Sequence, residues 1–401
     1  MESLRELFRI GVGPSSSHTM GPKRAAEIFK ARFPEAVRYQ VTLYGSLAAT
    51  GRGHLTDLAI RSAFDPGCLE LTWKPEESLP LHPNGMEFAA FNEVCERVGY
   101  WRVYSVGGGA LRDESSEFSR TEVYPLQKMA DILNRIERSS LPLWSYVEEC
   151  ESDSIWGYLS QVWEVMRQAI ERGLESDGYL PGELRLRRKS GRIFKHAKRD
   201  GARRIPGTLY AYALAVAEEN ASGGTIVAAP TCGSSGVLPA VLKYLQDAGN
   251  VSDREILRAL ATAGLIGNLV KANSSISGAA VGCQGEIGTA CAMAAAAAVQ
   301  LLHGSNGEVE YAAEMGLEHH LGLTCDPVAG LVQIPCIERN VFAAARAVDC
   351  AGYALLAGGT HRISFDEVVA TMTQTGADLK CCYRETSTGG LASLHCLRRK
   401  R

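Results

Sequence analysis

From Ile287 to Leu302 the chain reads IGTACAMAAAAAVQLL, a stretch without a charge and mostly alanine. Alanine is the best intrinsic helix former, but its methyl group contributes too little transfer free energy for the run to read as a membrane span. It reads instead as a tightly packed core helix. The segments REILRALATAGLIGNLVKA (254–272), EVEYAAEMGLEHHLG (308–322) and NVFAAARAVDCAGYALLAGG (340–359) keep an apolar period near 3.6. From about Asp153 onward the chain is therefore expected to be mostly α-helical.

The first 110 residues differ. Short β-branched or aromatic runs, VRYQVTLYG (37–45), LELTW (69–73) and YWRVYSVGGG (100–109), are mixed with helical patterns near 22–32 and 51–63. The expected fold class is a small α+β N-terminal domain, residues 1–140, followed by a mostly α-helical domain, residues 150–401. The change falls in or just after the charged stretch LRDESSEFSRTEVYP (111–125), and a chain of 401 residues is long enough for two domains.

Lys and Arg number 42 against 45 Asp and Glu, a formal charge of -3, which argues against nucleic acid or an anionic membrane as the partner and favours a small molecule. The run RLRRKSGRIFKHAKRDGARR (185–204) is locally basic, but nothing elsewhere extends it, and a solvated loop or helix face is expected. The opening MESLRELFRIGVG lacks a basic segment followed by an apolar run, so the reading is cytoplasmic.

Three clusters in the first half pair histidine with turn residues: GPSSSHTMGP (13–22), GRGHLTD (51–57) and HPNGM (82–86). Thr19 or Ser17 could merely cap a helix opened by Gly21 and Pro22, which explains one hydroxyl and leaves the others. Hydroxyls and an imidazole at a helix start can also grip a carboxylate. His18, His54 and His82 together suggest a shared site.

Nine of the twelve cysteines lie between Cys232 and Cys396, and no CxxC pair occurs. Cys291 and Cys350 sit in Ala/Gly-rich helical patterns and read as small core residues. Cys283, Cys325 and Cys336 are different: they stand in SISGAAVGCQGEIGTAC (275–291) and GLTCDPVAGLVQIPCIERN (322–340), where small residues would let backbone amides approach a sulfur-rich ligand.

These segments, with PTCGSSGVLPAVL, KANSSISG and YRETSTGGLA, occur in the order of the single-chain, iron-sulfur-dependent bacterial L-serine dehydratases (L-serine ammonia-lyases), which the sequence resembles over nearly its whole length. The resemblance implies an N-terminal domain like an allosteric substrate-binding module that contributes active-site loops, a helical catalytic domain, a homodimer, and a 4Fe-4S cluster held by Cys283, Cys325 and Cys336. One iron would lack a protein ligand and act as a Lewis acid on the β-hydroxyl of L-serine. A general base, His54 first and His18 second, would take the α-proton; the resulting aminoacrylate would become pyruvate and ammonia without net redox. Ser15, Ser16, Ser17, Thr19, His82, Asn84, Asn273, Arg384, Glu385, Thr386 and Ser387 are the implied substrate or supporting groups.

Two positions depart from the family pattern. Cys232 stands where relatives often have asparagine or alanine. Cys396 is placed to act as a self-ligand to the open iron, but LRRKR follows it. L-threonine, L-cysteine or another β-substituted amino acid are alternative substrates. A pyridoxal-phosphate enzyme would need a Schiff-base lysine and a phosphate cradle, for which Lys271, Lys243 and the GGG at 107–109 give weak support; a non-catalytic amino-acid sensor is the remaining alternative.

Overall fold

A computed structural model describes residues 1–114, 122–137, 141–199 and 204–399, without the side chains of 204–205 and 395–399. Among these residues the expected fold class holds: strands and helices mix up to Asp113, and helices dominate afterwards.

The alanine run forms the helix Thr289–Leu301, buried at every position but Gln300. A helix that is apolar all round must be enclosed, and the helices Val237–Ala248, Asp253–Asn273, Asn306–Glu318 and Cys336–Ala357 enclose it. The small side chains set the spacing. At Gly316 an added Cβ would stand 2.9 Å from the Ala292 backbone, so the helix Asn306–Glu318 lies close against the central one. Two of the surrounding helices begin with reciprocal capping boxes, Ser252 with Glu255 and Ser305 with Glu308. No helix among the described residues is long and apolar enough to cross a membrane.

Five strands form the N-terminal sheet in the order β3-β2-β4-β5-β6: β2 (Arg38–Tyr44), β3 (Leu69–Lys74), β4 (Gly85–Phe91), β5 (Arg97–Ser105) and β6 (Leu111–Asp113). Only β2 and β3 pair in parallel. Val41 and Leu43 of β2 and Met86 and Phe88 of β4 alternate inward, and with Phe29 of the helix Gly21–Arg32 they form one apolar core. The chain's first residues belong to the other core. Leu4, Leu7 and Phe8 pack with the long helices, and β1 (Arg9–Val12) pairs antiparallel with β7 (Thr225–Ala228).

Several details differ from the sequence expectation. The helix expected near 51–63 forms only over Thr56–Arg61; residues 51–55 are a turn that carries Gly51, Gly53 and His54, and a separate short helix, Gly45–Thr50, precedes it. Strand β4 has no counterpart among the strands expected from the sequence, because its alanines weaken the β signal and its start overlaps the polar segment HPNGM. The basic run contributes the helix Ser190–Arg199, whose flanking Arg188 and Lys189 pair with Glu219 and Glu338 at 2.9 Å.

Candidate active site

The hydroxyls of GPSSSHTMGP hold one turn against another. Ser15 Oγ accepts from the His18 amide at 3.1 Å, and the Ser15 amide donates to Thr19 Oγ1 at 3.1 Å. Thr19 in turn donates to the His54 carbonyl at 2.7 Å, while Thr56 donates to the His18 carbonyl at 2.5 Å. These crossed bonds bring the two imidazoles to 4.5 Å between centroids, both buried.

The two rings are not equivalent. His54 Nδ1 lies 3.0 Å from the Thr50 carbonyl, and a carbonyl only accepts, so Nδ1 carries the proton and Nε2 presents a lone pair. Burial lowers the His54 pKa to about 4, which keeps the ring neutral near pH 7. His18 has both nitrogens engaged: Nδ1 stands 2.9 Å from Ser17 Oγ, and Nε2 stands 3.2 Å from Ser46 Oγ. The Ser46 hydroxyl donates to the Glu385 carbonyl at 2.7 Å, so it receives the Nε2 proton. Burial and the neighbouring His54 also push the His18 pKa well down.

Glu385 connects the histidines to the second half of the chain. Its Oε1 is 3.5 Å from His18 Nδ1 and 3.8 Å from His54 Nε2, and its Oε2 is buried without a partner. The backbone places it by a short parallel bridge: Cys325 donates to the Tyr383 carbonyl at 2.8 Å, and Glu385 donates to the Cys325 carbonyl at 2.7 Å. Burial, followed by the charges of Glu286 and Cys283, raises the Glu385 pKa well above the usual carboxylate range.

Cys283, Cys325 and Cys336 line one small cavity together with His54, Glu286, Glu385 and Ser15. Cys283 precedes the π-helical turn Gln284–Gly288, and Cys336 opens the helix Cys336–Ala357. The Cys325 thiol donates to Cys283, which with Arg339 outweighs burial and lowers Cys283 to about 6. Burial raises Cys336 and, with the nearby Cys283 charge, moves Glu286 up to about 8. Gly278 gives the thiols room, since a Cβ there would lie 3.0 Å from Cys325 Sγ and 2.9 Å from Glu286 Oε2. Gly53 seats the histidine turn against the cysteine-bearing segment, because a Cβ there would meet the Gly330 carbonyl oxygen at 2.4 Å.

Three free thiols around one cavity are soft donors. Among the described residues no group of three or more His, Cys, Asp or Glu forms a site for a metal ion. Cysteine thiolates are the donors that hold iron-sulfur clusters, and three thiols lining one cavity suit such a group by their chemistry.

Not every expected residue reaches the cavity. Ser16 accepts from the Cys232 amide at 3.5 Å, and Ser17 holds His18. His82 and Asn84 lie beside the sheet: the Asn84 amide donates to His82 Nδ1 at 3.1 Å, and the Asn84 side chain donates to the Ser105 carbonyl at 3.2 Å. Arg384 Nη1 reaches the Ala280 carbonyl at 3.5 Å, Thr386 bonds the Cys381 carbonyl at 3.4 Å, and Ser387 bonds the Pro327 carbonyl at 2.6 Å. Asn273 closes its own helix and donates to the Gln127 carbonyl at 2.7 Å, outside the cavity lining. Cys232 is buried with its sulfur 3.3 Å from Met20 Sδ and does not line the cavity. Cys291 and Cys350 are buried in the helical core. Cys396 lies on the helix Gly390–Arg399, and its side chain is outside the described residues.

Glu286, Arg339 and Ser46 are not among the site residues expected from the sequence. The first two stand three residues after Cys283 and Cys336, one helical turn on, which was a usable signal. Ser46 had none.

Comparison with known proteins gives a consistent picture. Residues 78–392 match the family model described as serine dehydratase alpha chain, and residues 3–66 match the serine dehydratase beta chain. The L-serine dehydratase of Streptomyces coelicolor is 41% identical over 97% of this chain and 98% of its own length. L-serine dehydratase 1 of Escherichia coli is 40% identical over 98% and 99%, and the L-serine dehydratase of Mycobacterium tuberculosis is 39% identical over 97% of each.

Proposed function

The chain belongs to the serine dehydratase family, with alpha-chain and beta-chain regions in one polypeptide, and we propose that it eliminates water from L-serine to give pyruvate and ammonia. The observation that supports this most is the small cavity lined by three thiols, by His54 with its proton-free imidazole nitrogen and by a buried carboxyl. Cys283, Cys325 and Cys336 would hold a 4Fe-4S cluster, and its iron without a protein thiolate supplies a Lewis acid for the β C–O bond.

The chain's own groups account for the proton transfers. His54 Nε2 takes the α-proton, and Nδ1, bonded to the Thr50 carbonyl, fixes the tautomer that leaves Nε2 free. His18 is a positioning residue, held by Ser17 and Ser46 and not among the cavity-lining side chains. The unpartnered Oε2 of Glu385 is available to the substrate's ammonium group. Loss of the α-proton and the β-hydroxyl leaves aminoacrylate, which tautomerises to an imine and takes up water to give pyruvate and ammonia.

The rival lysine-based reading loses its residues. Lys271 is bonded to the Glu6 carbonyl and to Glu2 at 2.7 Å, Lys243 pairs with Asp247 on the surface, and neither lines the cavity.

The test is anaerobic reconstitution with iron and sulfide, followed by the visible spectrum and pyruvate release from L-serine. Wild type is expected to show cluster absorbance and turnover; His54→Gln is expected to keep the absorbance and lose about 10²- to 10⁴-fold in turnover, the contribution of a positioned base. A cluster-loaded wild type inert toward L-serine, or a His54→Gln enzyme of unchanged rate, would refute the assignment.

A further inference from the structure

Asn340 stands one turn into the helix Cys336–Ala357, is 1% exposed, and does not line the cavity. A buried carboxamide needs partners, and the three that this one has are all backbone groups. Oδ1 accepts from the Gly236 amide at 2.9 Å, and Nδ2 donates to the Gly233 carbonyl at 2.8 Å and to the Cys336 carbonyl at 2.9 Å. A backbone amide only donates and a carbonyl only accepts, so these neighbours fix the orientation of the side chain.

The contact joins two walls of the cavity. Gly233 and Cys336 both line it, and a Cβ at Gly233 would lie 3.7 Å from Glu286 Oε1. Gly236 stands at the start of the helix Val237–Ala248, where glycine has no side chain with which to cap, and Asn340 satisfies its amide from another helix. The approach is close. A Cβ at Gly236 would stand 3.0 Å from Asn340 Oδ1 and 2.5 Å from the Ala213 carbonyl oxygen.

We propose that Asn340 is a positioning residue for the cavity: it ties the turn at 233–236 to Cys336, so that the wall facing Glu286 and the Cys336 thiol keep one spacing. This role rests on the reading of the cavity as the site of a cluster. A carboxamide suits it because the same side chain accepts once and donates twice. Alanine would take this partner from the buried Gly236 amide and Gly233 carbonyl and release Cys336 from the turn.

Release of the cluster tests the role without turnover. Anaerobically reconstituted full-length protein is mixed with an iron chelator, the fall in visible absorbance is timed, and circular dichroism reports on folding. Asn340→Ala is expected to release the cluster about 10- to 100-fold faster than wild type while folded, the effect typical of removing a group that holds a metal ligand in place. Asn340→Asp keeps the shape and the acceptor for Gly236 but loses at least one donated bond, so its rate is expected between the two. Ser252→Ala, which removes a helix cap outside the cavity lining, is expected to release at the wild-type rate. Folded Asn340 variants that hold the cluster like wild type, a Ser252→Ala protein that loses it as fast as Asn340→Ala, or Asn340 variants that never reach the folded state would each overturn the role. A wild type that loads the cluster but is inert toward L-serine refutes the elimination alone, and the order of release rates still decides the role of Asn340.

Discussion

Acidification provides a quantitative check on the buried imidazoles. His54 titrates at about 4 in the folded protein, against 6.5 for an exposed ring. Above pH 7 both the folded and unfolded states carry a neutral ring, so His54 adds no pH dependence there. Below 6.5 the unfolded chain binds the proton first, and stability falls until the pH reaches the folded value near 4. Between pH 7 and pH 5 the loss integrates to about 2 kcal/mol for this one group. His82, also lowered to about 4 by burial, contributes a loss of the same sign. The buried carboxyls act oppositely: Glu385 is raised well above 4.5 and Glu286 to about 8, so both favour the folded state as the pH falls. The total slope therefore mixes signs, and a difference measurement isolates His54. Anaerobic urea unfolding, followed by tryptophan fluorescence at pH 7 and pH 5, should show wild type losing about 2 kcal/mol more than His54→Gln across that interval. Equal losses in the two proteins would refute the neutral, buried His54 on which the base assignment rests.

Two further outcomes probe the scaffold. Gly316→Ala puts a methyl 2.9 Å from the Ala292 backbone; overpacking at about 1–3 kcal/mol should exceed the roughly 1 kcal/mol that alanine gains in helix propensity, and chemical denaturation will read a net loss. Ser252→Ala removes the capping box of the helix Asp253–Asn273 and should cost about 1 kcal/mol with no change in cluster absorbance.

The helical region was legible because its signal is local. A long alanine run and apolar periods near 3.6 required helices, and Asp253–Asn273, Asn306–Glu318 and Cys336–Ala357 lie where those periods fell. The sheet was partly legible: β2, β3 and β5 matched aromatic and β-branched runs, whereas β4 depends on long-range pairing with β2 and β5 that no local period encodes. At the site the three cysteines and both histidines were marked by their turn chemistry, and the structure brings His54 and all three thiols to one cavity. The hydroxyls around His18 were visible, but their partners were not. Thr19 and Thr56 bond carbonyls in the opposite turn, so their work is to hold two turns in register. Asn273 shows the converse, a residue adjacent to a site motif in sequence whose side chain serves its own helix end.

The boundary between the two family regions, residues 66 to 78, falls inside the five-stranded sheet. Strand β2 lies on the beta-chain side, and β4, β5 and β6 lie on the alpha-chain side. Arg38 to Leu43 pair with Phe91 to Met86 in unbroken antiparallel register, and Val41, Leu43, Met86 and Phe88 share one apolar core. A cut in the exposed segment between β3 and β4 would therefore sever the covalent link and leave the two pieces joined as neighbouring strands. The beta region would act as a strand donated to the alpha region's sheet, and reassembly of a two-piece protein would amount to β-strand complementation, with the histidine turns delivered to the thiol cavity as the strand docks.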